Sequence, residues 1–140
     1  MTAYDRIMPL VGRILISVIF LLSGFGKLTS WSSSAAFLAA RHFPIPSAMV
    51  AGAVIVELIG GLCLVFGFKA RIVAFIMFLY MIPTTLIFHN FWALQGAARG
   101  DNQIHFLKNV AIMGGLLMVS AYGPGKLSID GRSAATHAGV

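Results

Sequence analysis

An all-α integral membrane protein is the fold class this sequence predicts: a four-transmembrane-helix bundle with a short interfacial helix between helices 1 and 2. Three observations predict it. The 140 residues are 59% hydrophobic and only 10% charged, against about 25% charged in an average soluble domain. Mean hydropathy is +0.90, and a chain this short buries only about two-thirds of its unfolded surface, so lipid must solvate the rest. Finally, four apolar segments, at about 7–25, 47–66, 72–89 and 104–122, are each long enough to cross a core of about 30 Å. One domain over 1–130 is expected, with a small, polar, disordered tail over 131–140.

The first segment has Arg6 and Arg13 before an apolar run, as a signal peptide does, but no A-x-A cleavage site follows and three more apolar segments lie downstream. It reads as a retained helix. Arg13, Ser17, Phe20, Gly24 and Lys27 recur at helical spacing and share one face. That face should point into the protein, because a lipid-facing arginine is costly; the alternative is that Arg13 snorkels to the headgroups. Residues 28–46, LTSWSSSAAFLAARHFPIP, are too short to span and suggest an amphipathic helix in the interface plane. A plain surface connector is favoured there over a lid on a site.

The second segment carries one carboxylate, Glu57, in an otherwise apolar run. In lipid it needs a partner or a function, since insertion costs on the order of 2.5–3.5 kcal/mol. Val50, Ala53, Val54, Gly60, Gly61 and Leu64 lie on its side of the helix, so Glu57 should face the bundle. Pro83 should kink the third segment. Thr85 and His89 share a face there, and Trp92 in the following loop fits an interfacial belt. The fourth segment opens with His105, Lys108 and Asn109 on one face.

Counting depth at about 1.5 Å per residue from the outer helix ends puts Glu57 about 15 Å, Ser17 about 13 Å, Arg13 about 20 Å, and Thr85 and Lys108 about 6 Å below the surface. Lys27, His89, Asn90 and His105 fall at the rim. The expectation is an outer funnel, cationic at its mouth, with Glu57 at its floor and a small anionic or redox-active ligand as its occupant. The competing reading is a structural ion pair. Two histidines alone make a poor case for haem, and no metal-ligand motif is present.

The net charge of +6 comes from cations spread singly, which excludes a nucleic-acid stripe. Four spans place both termini on one side, with Arg6, Arg13, Lys69, Arg71, Lys126 and Arg132 against Lys27, Arg41, Arg99 and Lys108 on the other. The positive-inside rule then puts both termini in the cytoplasm. Cys63 has no second cysteine, so neither a disulfide nor a thiol relay forms within the chain.

Several motifs together carry a family resemblance: GRILISVIFLLSGFGKL (12–28), FPIP (43–46), VELIGGLCLVFGFKAR (56–71), FHNFW (88–92), HFLKN (105–109) and YGPGKLSID (122–130). On these the chain resembles the DoxX family of small four-helix bacterial inner-membrane proteins, over about 12–132. The resemblance implies Arg13, Lys27, Glu57, His89, Lys108 and Asn109 as recurring polar positions, with His105 where the pattern varies. It implies an accessory or quinone-linked subunit of a membrane redox or stress system. Quinone is the one cofactor it suggests, and no independent catalytic activity is expected. The alternatives are a non-catalytic scaffold or assembly factor, and a small oligomeric transporter of an anionic or weak-acid solute. The implied partners are the bilayer and either a membrane redox complex or further copies of the chain.

Overall fold

The computed structural model describes residues 2–137. The elements are α1 (Ala3–Thr29), α2 (Trp31–Ala39), α3 (Pro46–Phe66), α4 (Ala70–Phe88), a 3-10 turn (Phe91–Ala93), α5 (Gly96–Tyr122) and α6 (Ile129–His137). Helices α1, α3, α4 with the 3-10 turn, and α5 are long and apolar enough to cross a membrane. Leu15, Leu22, Ile55, Ile59, Leu107 and Met118 are exposed, as lipid-solvated side chains must be. No strand occurs among the described residues.

The chain forms two compact units, one of residues 1–68 with 124–140 and one of 69–123. In the first, Thr2 caps α1: its hydroxyl accepts from the Asp5 N–H, and the Asp5 carboxylate accepts from the Thr2 N–H. α1 and α3 run antiparallel in a register set by small residues. A Cβ on Gly24 would lie 2.8 Å from Leu58 Cγ and 3.1 Å from Glu57 Cβ, and one on Gly61 would lie 2.8 Å from Leu21 Cδ2. Close backbone approach at such positions is how helices associate where lipid removes the hydrophobic drive. α3 ends at Gly67, whose φ of +66° lies in the left-handed region that favours glycine; the Phe68 N–H returns to the Cys63 carbonyl.

The register corrects the depth count. With Gly24 beside Glu57 and Leu58, α1 ends about six residues short of the start of α3, roughly 9 Å. Lys27 is therefore sunk to within a turn of Glu57 rather than standing at the rim, and Ser17 lies below Glu57, beside Gly61. Counting from helix ends failed because it took the ends as flush.

In the second unit, α4 and α5 pair antiparallel, with Thr85 opposite Asn109 and His89 opposite His105. α4 runs through Pro83 without a break, and the Thr84 hydroxyl donates to the Tyr80 carbonyl at 2.9 Å. α5 starts at Gly96, two turns before the apolar run at 104 that marked its expected start. Polar residues 96–103 extend an established helix at little cost, since only nucleation is expensive.

Residues 129–137, which overlap the tail expected from 131, are helical. Ser128 Oγ accepts from the Gly131 N–H at 2.9 Å and Asp130 sits in the first turn, both favourable to a helix start. Residues 138–140 of that tail lie outside the described residues.

Candidate functional site

Glu57 is held by Lys27. Lys27 Nζ donates to Glu57 Oε2 at 2.8 Å, to Oε1 at 2.9 Å and to Ser23 Oγ at 2.6 Å. An ammonium has three N–H donors, and these three acceptors match them. The Glu57 side chain is 5% exposed and that of Lys27 31%. Gly24 makes the geometry: with no side chain there, α1 approaches α3 closely enough for Lys27, three residues on, to reach the carboxylate. Lys27, expected at the rim of the funnel, is thus ion-paired with the carboxylate expected at its floor. Lys108 is exposed on α5.

Arg13 serves a different place. It is 2% exposed, and its Nη1 donates to the Pro124 carbonyl at 2.7 Å while Nη2 donates to the Leu127 carbonyl. It does not snorkel to solvent, and it lies further down the α1–α3 pair than Ser17, beside Gly67. A Cβ on Gly67 would collide with Ser128 Cβ and lie 2.6 Å from Arg13 Nη1, so glycine, arginine and the 124–128 loop fit as one block. The Asp130 N–H donates to the Gly67 carbonyl at 3.0 Å, completing the clamp. Ser17, fully buried, donates from Oγ to the Arg13 carbonyl at 2.6 Å, a local back-bond.

The second unit gathers the remaining predicted residues. Asn109 Nδ2 donates to Thr85 Oγ1 at 3.1 Å, and the His89 and His105 rings stack with centroids 5.3 Å apart and planes 20° from parallel. Stacked rings do not aim nitrogens at a shared atom, so this is not a bis-imidazole ligand arrangement. Phe91, Trp92 and Phe106 form an edge-to-face cluster with centroids 5.4–6.0 Å apart.

Sequence reasoning missed four participants. Ser23 lies one turn before Lys27, a spacing that could have revealed it. Ser128 and the carbonyls of Pro124 and Leu127 could not have been found, because a backbone acceptor more than 110 residues away leaves no residue-type signal.

These features define a small multi-pass α-helical membrane protein. It matches the DoxX family over residues 8–90, and it belongs to that family. It is similar to the inner membrane protein YphA of Escherichia coli (strain K12), 33% identical over 126 residues and covering 90% of each chain. It is also similar to the inner membrane protein YqjF of the same organism, 34% identical over 121 residues, covering 86% of this chain and 88% of the relative. A more distant likeness is to the ER-derived vesicles protein ERV29 of Saccharomyces cerevisiae, 28% identical over 119 residues but covering only 31% of that protein. No solved structure matches the chain. The relatives and the four apolar helices make it a multi-pass bacterial inner-membrane protein.

Proposed function

We propose that the chain is an accessory subunit of a membrane redox system and that the Lys27–Glu57 pair receives a quinone head group. One observation carries the reading: Lys27 gives two N–H groups to a carboxylate and the third to a neutral hydroxyl, Ser23 Oγ. A ligand carbonyl can replace Ser23 without separating the two charges. A bound quinone supplies carriage of two electrons with two protons. Lys27 would hold a ring oxygen, and Glu57 would accept or return a proton at that oxygen. The donor set therefore fits the group.

Quinone measured in lipid extracts of the protein purified in mild detergent tests this. The expected result is quinone above the level in the surrounding membrane for the wild type, and loss of that excess in Lys27→Met with helicity retained. No excess in the wild type overturns the reading. It leaves the second reading, a non-catalytic scaffold for a redox complex, which the same saturated donors favour because they join α1 to α3 without any ligand.

We also place both termini in the cytoplasm, supported by the cations at 6, 69, 71, 126 and 132. A fluorescent protein fused to the C-terminus should fluoresce and alkaline phosphatase fused there should be inactive; the reverse would invert the topology.

A further inference from the structure

α2 is joined to its neighbours by two unusual stretches of backbone. Before it stands the single residue Ser30, at φ −113° and ψ 44°, where the chain leaves the α1 axis. α2 then packs on α3. After it come two non-glycine residues in the left-handed region, His42 at φ 59° and Ile45 at φ 45° and ψ 55°. Ile45 is the worse suited. A β-branched residue crowds its own backbone there, and the Pro46 ring disfavours helical conformations in the residue before it. Its side chain is exposed, so no burial offsets the strain.

The segment between these two points packs against both helices that carry the ion pair. α1 stops about six residues short of the start of α3, as the Gly24 contact requires. Val50 is past that end, yet it is 2% exposed. Within the first unit, α2 packs on α3, and Leu38 is its buried residue. The Lys27 amine, partly exposed, lies just below.

We infer that α2 is a hinged lid over the Lys27–Glu57 pair, anchored by Leu38 and turning at Ser30 and at residues 42–45. Strain at Ile45 is present when the lid is docked and is relieved when residues 40–46 relax, so it biases the lid towards opening. Such a lid lets a ligand displace Ser23 from Lys27 and then shuts it from the interface. The lid gates the site proposed above and to that extent rests on that reading.

The test uses the full chain in nanodiscs. Cys63, the lone cysteine, is replaced by serine, and Val50→Cys reports opening through its rate of reaction with N-ethylmaleimide. Ala48→Cys, at an exposed position near the start of α3, controls for reagent access. Leu38→Ala should speed the Val50→Cys reaction about tenfold or more. Ile45→Gly and Ile45→Asn, which accept the left-handed conformation, should slow it about fivefold or more. Ala48→Cys should react at one rate throughout. Failure of both Ile45 variants to slow Val50→Cys overturns the lid, and those variants remove no packing, so misfolding cannot mimic that result. The measurement needs no ligand. Shifted rates without copurified quinone keep the lid and reject the quinone; unchanged rates with copurified quinone do the opposite.

Discussion

Two cations on one face of α1, Arg13 and Lys27, are both drawn out of water, and the chain satisfies them in opposite ways. Lys27 meets a carboxylate and a hydroxyl from side chains. Arg13, roughly 21 Å away along the helix, meets backbone carbonyls at the C-terminal end of the described chain. The difference follows from the donors. Guanidinium presents a rigid planar fork that reaches two carbonyls at once, whereas ammonium is a compact charge best met by another charge. It also separates their roles. An arginine holding backbone fastens chain segments together, while a lysine on a carboxylate with one neutral neighbour keeps a replaceable contact.

The largest expected effect lies at the arginine. Arg13→Ala leaves two carbonyls without donors and should cost about 2–4 kcal/mol, read as a lower thermal midpoint. Arg13→Lys should recover less than half of it, because one ammonium cannot reproduce the fork. Full recovery by lysine would mean that charge alone matters there, and the contrast between the two cations would fall.

Next, Lys27→Met takes its counter-charge from the buried Glu57 carboxylate, at about 3 kcal/mol. Adding Glu57→Gln should return most of that loss. If the double variant is no more stable than Lys27→Met, the two residues are not coupled. A smaller effect is expected at Gly24→Ala, where a Cβ presses on Leu58 and Glu57; about 1–2 kcal/mol is expected, with partial relief from Leu58→Ala. Ser23→Ala should cost about 1 kcal/mol or less. Thermal melts of that variant showing a loss as large as that of Lys27→Met would make Ser23 an integral part of the pair rather than its replaceable member.

Much of this was legible in the residues. Glu57 and Lys27 were both identified as candidate site residues, because an isolated carboxylate in lipid needs a partner and helical spacing puts Lys27 on the inward face. The helix count followed from apolar runs. What could not be read was register. Gly24 and Gly61 looked merely small, yet they set how α1 slides against α3 and hence how deep Lys27 lies. The start of α5 was misplaced because apolar patterning marks where lipid begins, not where helical hydrogen bonding begins. α6 was hidden because its capping serine, Ser128, lies in a segment too polar and glycine-rich to suggest a helix.

By itself, then, the sequence determined solvent and class. Its hydrophobic fraction demands lipid, and unsatisfied backbone in lipid demands helices. Its single intramembrane carboxylate demanded a partner or a function. Tertiary structure alone decided which cation answers Glu57, what Arg13 holds, and where α2 lies. Those choices depend on ångström-scale sliding of helices and on backbone carbonyls that every residue possesses, and residue identity does not encode either one.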